Sequence, residues 1–489
     1  MDGIELANPL LLTRISVDAV DRIEVIRGPQ GAALYGADAI SGVVNVQLRH
    51  DGAQNGRGDV SVRSSAGAAQ SDYTPTGAFT QEHTVSLRAG SAERSAGAVL
   101  AMTTTGAIVP DGGTQQFSAD VGARRVPART ILSSTARLWV ARADSPVNPI
   151  LTAVLATVPG AQALAPERQQ RVTQYTLGGT LTHAPDAAWT HTLTAGVDGY
   201  RLSGLAVDFV PVPSALDSAL RSTQGGADKG SVRATSVRRI GIGDANSGTI
   251  TIGADLALLR DATGSAEPWR DFQNGSTRRP AIAEDARWLS TAGISAQAGL
   301  TLRETVFLTA GLRAERNDGF TDASRFAVLP ALGASVVRQA GDLTWKARVA
   351  YGGGVRPARN PMRETAWRGT GSGAVSTDLL PERQIGVEAG LDLFWRRTVS
   401  LQVTRFDQRA SSLIQQVPVA FIPPPGEDTL GRGGSGRPPK LAYALENLGA
   451  ITNRGWEFGV RHNVGAVSLA GTLVTGSEPG GPGLTRLRR

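Results

Sequence analysis

The sequence predicts an all-β chain, a transmembrane antiparallel β-barrel, and three observations predict it. Apolar and polar residues take turns with period two over stretches of eight to twelve residues, the pattern of a strand with one greasy face. No run of about 18 apolar residues is present, so a spanning helix is not available. Short and long connections alternate along the chain, which fits tight turns at one membrane face and extended loops at the other.

The strands carry the first observation. Ile250, Ile252, Ala254, Leu256 and Leu258 share one face, against Thr249, Thr251, Gly253 and Asp255. Val306, Leu308, Ala310, Leu312 and Ala314 oppose Thr309, Gly311, Arg313 and Glu315. Leu343, Trp345, Ala347, Val349 and Tyr351 face away from Thr344, Lys346 and Arg348. Val387, Ala389, Leu391, Leu393 and Trp395 do the same against Glu388, Gly390 and Asp392. A soluble sandwich would bury such faces against a second sheet. A barrel turns them to lipid and keeps the charged side in a wet lumen.

The connections separate the two. Brief turns fall near Ser91 to Arg94, Arg125 to Ala128, Ala184 to Ala188, Gly243 to Asn246, Leu302 to Glu304, Gln339 to Asp342, Arg396-Arg397 and Asn463 to Ala466. Between them lie longer loops near Gly67 to Gln81, Thr105 to Gln116, Asp144 to Gln170, Ser203 to Gly230, Asp261 to Ala286, Asn317 to Ser324, Gly353 to Arg383 and Ala410 to Leu441. A sandwich has no reason to keep that order. It leaves about 17 strands between Gly58 and Gly476, each near the roughly 9–11 residues that a tilted spanning strand needs. Trp189, Trp288, Trp345 and Trp395 fall at or near strand ends, where amphipathic rings suit a membrane interface; packing within a soluble sheet is the competing account.

Composition limits the function classes. A chain of 489 residues exceeds one ordinary compact domain, and with no cysteine it holds neither disulfides nor thiolate metal sites. The net charge is +7, but only three of the basic residues are Lys (Lys229, Lys346 and Lys440) and the Arg are dispersed, not gathered in the stripe that a nucleic-acid partner would need. No Gly-x-Ser-x-Gly elbow, Walker loop or His-Glu-x-x-His is found, so no enzyme is indicated.

The most informative stretch is Asp18 to Val46. Val20, Ile23, Val25 and Ile26 form a β-prone run that Gly28-Pro29 breaks. Gly31, Gly36 and Gly42 keep the next segment compact before Val43, Val44 and Val46 restart a strand around Asn45. The ordered series Asp21 to Val25, Arg27 to Pro29, Leu34 to Gly36 (including Tyr35) and Gly42 to Asn45 resembles the end of the plug domain of TonB-dependent outer-membrane receptors. Weaker landmarks follow in the family's order: Gly311-Leu312-Arg313 with Phe326 to Pro330, Val349 to Pro357, Leu380 to Arg383 with Val387 to Leu391, Asn447-Leu448-Gly449, and Arg454 to Glu457.

The resemblance implies residues 1–50 as the C-terminal part of a plug and 51–489 as the barrel. Family barrels have 22 strands, so about five are expected to be missing, and an odd count would leave the carboxyl terminus outside the cell. No secretory signal peptide and no TonB-contacting box are visible, and the tail lacks a terminal aromatic strand. The chain is therefore expected to be a fragment, or to start at a misplaced position, and as written not to transport actively.

The resemblance also implies a charge cluster in which Arg27 of the plug meets Glu382 and Glu457 of the wall, locking the plug until transport; the alternative is that each faces lumen water. The histidines (His50, His83, His183, His191 and His462) are scattered; His183 and His191 flank one turn, but a bare pair is more often surface than metal site. Ser16, Asp18, Asp21 and Glu24 read as a cap plus a solvated face.

The implied function is a receptor and transporter in a Gram-negative outer membrane for a scarce nutrient, of the siderophore-iron, cobalamin or oligosaccharide class, energised by TonB. Its implied partners are outer-membrane lipid, the TonB complex and a small nutrient ligand; it is expected to act as a monomer, with no cofactor, metal or nucleic acid. A passive outer-membrane channel, an adhesive barrel or a nonfunctional remnant is the alternative. Ligand identity would lie in loops such as Gly353 to Arg383 and Pro418 to Pro439.

Overall fold

A computed structural model describes residues 1–52, 58–72, 74–109, 112–145, 168–212, 215–243, 245–266, 269–270, 277–278, 283–320, 326–357, 379–396, 398–422, 440–465 and 467–477. Its amino-terminal part holds a small antiparallel hairpin, β1 (Val20–Arg27) and β2 (Gly42–Leu48), joined through the one-turn helix α1 (Ala32–Tyr35) and short 3-10 turns. The wall follows: β3 (Asp59–Ser71), β4 (Thr74–Gly90), β5 (Arg94–Thr105), β6 (Gly113–Arg125), β7 (Thr130–Ser145), β8 (Arg168–His183), β9 (Trp189–Val212), β10 (Ala215–Ile242) and β11 (Asn246–Ala266). A minor hairpin, β12 (Trp269–Arg270) with β13 (Thr277–Arg278), precedes β14 (Ala283–Leu302), β15 (Val306–Asn317), β16 (Phe326–Ala340), β17 (Leu343–Arg356), β18 (Glu382–Trp395) and β19 (Val399–Ser411). A second hairpin, β20 (Ile414–Ile422) with β21 (Lys440–Asn447), leads to β22 (Ala450–Val464) and β23 (Val467–Ser477).

Seventeen of these strands make one closed antiparallel barrel, the architecture and strand number that the alternation predicts. All eight brief turns fall between consecutive strands where expected. No helix among the described residues is long and apolar enough to cross a membrane. β3 and β23, the first and last strands of the wall in the chain, are neighbours in the barrel order. The sixteen registered pairings between the other neighbours are all antiparallel, so β3 and β23 run in the same direction. Both are exposed along nearly their whole length.

The loop end departs from expectation. Two segments read as loops, Gly67 to Gln81 and Ser203 to Gly230, stay paired: β3 and β4 continue to Ser71↔Thr74, and β9 and β10 to Val212↔Ala215. Each added antiparallel pair satisfies backbone groups of both strands, so a hairpin leaving the membrane can extend until the chain must turn. Much of the other long loops, residues 146–167, 358–378 and 423–439, falls outside the described residues.

Sidedness is the reverse of a soluble fold. Ile252, Leu256, Ile294, Leu312, Leu332, Val387 and Leu391 are exposed on the outside, while Asp120, Arg137, Gln174, Asp198, Arg313 and Glu315 are buried within. Trp189, Trp345 and Trp395 sit at or near strand ends on the short-turn side, and Trp288 lies near the loop end of β14, 64% exposed, as an interfacial ring would be. An arginine at Ile252, five residues above the turn on the lipid face, is expected to destabilise the barrel by about 2–4 kcal/mol, and Thr251→Arg on the lumen face by clearly less. Urea unfolding of both variants from lipid vesicles checks this; equal losses would mean that the outward face is not in hydrocarbon.

Candidate functional site: the plug and the barrel wall

The hairpin β1–β2 puts Arg27 at its tip, opposite Gly42. That pairing needs a glycine: at φ +119° a Cβ on residue 42 would lie 2.4 Å from the Ile26 carbonyl oxygen. Pro29 opens the 3-10 turn Pro29–Gly31, and Gly31 sits at the N-cap of α1 with its N–H donating to the Gly28 carbonyl. Asn45 donates through Nδ2 to Glu24 at 3.1 Å on the exposed hairpin face. Glu24 is held below the ordinary carboxylate range chiefly by Arg22, and then by Asn45.

Of the sequence-expected charge cluster, the structure brings together two members. Arg27 Nη1 donates to Glu457 Oε2, with the Arg27 side chain 63% and the Glu457 side chain 31% exposed. A pair this wet contributes roughly 0–1 kcal/mol. Glu382 is not in the cluster. It begins β18 at the loop end of the wall, in register with Arg356, pairs with that guanidinium and accepts from the Ile414 N–H at 2.9 Å. Strand register thus gives Glu382 a nearer cation than Arg27.

A cavity of about 490 Å³ lies between the hairpin and the wall, lined among others by Arg27, Gln30, Arg348, Glu388 and Glu457. Arg348 donates there to Glu388 and Thr404, each at 2.8 Å, and its Nε lies 3.6 Å from the Asp392 carboxylate. The cavity lining mixes these paired charges with the apolar Val25, Ile26, Ala350 and Phe458.

The strongest contacts were not singled out from sequence. Arg313 forks onto Asp255 at 2.6 and 2.8 Å and donates through Nε to Glu315 at 2.9 Å; Arg313 and Glu315 are each 1% exposed. Glu315 in turn accepts the Ala37 N–H of the plug at 3.2 and 3.1 Å. Gly36 makes that approach feasible, since at φ +95° a Cβ there would meet Glu315 Oε2 at 2.5 Å. Tyr35 lies beneath the Arg233 guanidinium at 4.9 Å. Glu5 bridges Lys229 at 2.7 Å and Arg233 at 3.1 Å, and the Ala7 N–H donates to Asp198 at 2.7 Å. The available signal was the inward parity of Asp255, Arg313 and Glu315 on their strands.

The remaining candidates have local roles. His183 and His191 face one another in register, but His183 bonds Thr130 at 2.9 Å and His191 stacks on Trp189. His50 lies 3.2 Å from Asp2, and His83 bonds Ser64 at 2.8 Å. Among the described residues, no three His, Asp or Glu converge as metal ligands. Ser16 occupies an N-cap position but makes no side-chain cap bond, and Asp18 pairs with Arg63 at 2.9 Å.

Arg137 and Asp120 form a pair at 3.1 Å, with side chains 1% and 3% exposed, and Arg137 also reaches Gln174 at 2.7 Å. Truncating one partner strands a buried charge, so Arg137→Ala is expected to cost about 3–5 kcal/mol, most of it recovered in the Arg137→Ala/Asp120→Ala double variant. Denaturant titration in detergent measures both; a single-variant loss below about 1 kcal/mol would contradict the burial of this pair.

The family model for the TonB-dependent receptor-like β-barrel matches residues 139–483, and the TonB-dependent receptor plug domain matches residues 1–43. Among solved structures, the RagAB peptide importer in its closed-closed state superposes with a TM-score of 0.71 at 12% identity, over 96% of this chain and 66% of that one. The siderophore receptor PirA from Pseudomonas aeruginosa gives a TM-score of 0.62 at 16% identity, over 95% of this chain and 75% of that one. The vitamin B12 transporter BtuB of Vibrio vulnificus (strain CMCP6) is 47% identical over 49 residues, which is 9% of this chain and 8% of BtuB. The chain spans about two thirds of the RagAB structure. With both family models matched and the barrel model alone covering most of its length, the chain belongs to the TonB-dependent receptor family.

Proposed function

We propose that the intact protein is an outer-membrane receptor and transporter that takes up a scarce nutrient, energised by TonB. Residues 1–50 act as part of its plug and 51–489 as its barrel. The observation that carries the reading is that the amino-terminal segment sits within the lumen, held to the wall by ion pairs and hydrogen bonds beside small apolar clusters. The exposed contacts among them, Arg27 with Glu457 at the hairpin tip, can be exchanged for water when the segment is pulled.

Arg27 and Glu457 are the lock on the hairpin tip, exposed enough to release at low cost. The protein works as a monomer in outer-membrane lipid, and the energy comes through TonB. The substrate belongs to the nutrient classes that this family handles: BtuB is a vitamin B12 transporter, PirA a siderophore receptor and RagAB a peptide importer. The charged groups of the cavity beside Arg27, with Gln30 and Gln402, offer hydrogen bonds to a polar solute.

Accumulation of labelled cobalamin, ferric siderophores, oligosaccharides and peptides by cells making the protein tests this, with and without an uncoupler of the proton gradient. One substrate is expected to accumulate and to lose at least tenfold on uncoupling. Entry that ignores the uncoupler, or no accumulation of any of the four, overturns the reading in favour of a passive channel or an inactive barrel.

A further inference from the structure

The plug is attached to the wall in two physically different ways. At the hairpin tip, Arg27 and Glu457 meet in water. Four residues further on begins the block Gly31 to Ala39, which is seated in a dry site. Ala32, Ala37 and Ala39 pack with Phe320, Ala327, Leu329 and Val355 of the wall. Beside them Glu315, itself clamped by Arg313, receives the Ala37 N–H on both carboxylate oxygens. Gly354 leaves room for this block, since a Cβ there would lie 2.9 Å from the Ile40 Cα.

We propose that Glu315, a positioning residue oriented by Arg313 and Asp255, is the anchor that keeps the Gly31–Ala39 block on the wall while the Arg27 end of the plug is released. The proposal rests on the plug reading above and assigns which part of the plug stays. A carboxylate held by a guanidinium fork and aimed at a backbone N–H makes a charge-assisted bond in a site where water cannot replace it. The Arg27 pair has water available to both partners and is screened by salt. A pulling force therefore separates the hairpin tip first. The small residues of the block follow from the same geometry, because any Cβ on residue 36 would displace the carboxylate.

The chain has no cysteine, so one introduced thiol is a clean reporter. Ala39→Cys, 6% exposed and two residues past the bonded N–H, serves in the membrane-embedded protein with a water-soluble maleimide. Adding Glu315→Gln is expected to raise the labelling rate at least tenfold, and Arg27→Ala less than threefold. Gly36→Ala disturbs the same contact from the plug side, so combining it with Glu315→Gln should give much less than the product of the two effects. Glu315→Asp, which keeps the charge but shortens its reach, is read instead if the Gln variant fails to insert.

The proposal is overturned if the Glu315 variant labels at the parent rate, if Arg27→Ala matches it, or if the Gly36 and Glu315 effects multiply. None of these readouts needs a substrate or TonB. A protein that fails the uptake test but shows the expected labelling pattern keeps the anchor and loses the transport reading.

Discussion

Backbone N–H and C=O groups inside a bilayer have no water to bond, so a strand can lie there only as part of a ladder that runs around a lumen. That constraint turns the chain inside out. Side chains at one parity face lipid and must be apolar; those at the other face the lumen and are free to be charged. In β11 the two parities are Ile252 and Leu256 outside against Asp255 inside, and in β15 they are Leu312 outside against Arg313 and Glu315 inside. The barrel therefore has charges where a soluble protein has its core, and what is placed in the lumen docks on carboxylates as well as on the apolar patch of Ala327, Leu329 and Val355.

The plug meets that demand with backbone and small side chains. Its α1 and neighbouring turns present Ala32, Ala33, Ala37 and Ala39, all buried, and its free N–H groups point at wall carboxylates. Exposed large apolar residues appear on the hairpin: Ile23, Val25 and Val44 are more than half exposed, and Val25 lines the cavity. The two halves thus differ in both solvation and contact chemistry. The half that carries the Arg-Gly-Pro signature is the wetter one, which is why the signature marks the segment without marking its tightest attachment.

Much of the fold was legible because it rests on local rules. Alternation at residues such as Val387 to Trp395 gives strands, and the eight short turns end them where Gly, Asp or paired basic residues interrupt the pattern. The tall hairpin of β9 and β10 was not legible, since its pairing beyond the membrane depends on a partner strand and not on a lipid-facing parity. The site was half legible. Arg27 and Glu457 are brought together, but Glu382 is drawn to Arg356 by register, a long-range property that no motif spacing encodes. Arg313 stood inside a recognised Gly-Leu-Arg landmark, yet its partners Asp255 and Glu315 are set by a neighbouring strand and by parity.

The wall itself shows how single residues carry charge across strands. Arg313 on β15 reaches Asp255 on β11 by lying over Gly293 of the intervening β14, where a Cβ would stand 2.0 Å from its guanidinium. Arg348 on β17 reaches Thr404 on β19 over Gly390 of β18, where a Cβ would stand 2.7 Å from its Cζ. Tyr175 on β8 reaches Asp228 on β10 over Gly199 of β9, where a Cβ would stand 2.5 Å from its hydroxyl. In each case the middle strand gives up a side chain so that a long one can lie flat and join two strands that share no ladder. A planar guanidinium suits the role, because one fork can hold two acceptors on different strands while staying charged in a poorly solvated lumen. The chain's preference for Arg over Lys then follows from the architecture: a lumen wall stapled two strands at a time calls for reach, fixed geometry and permanent charge together.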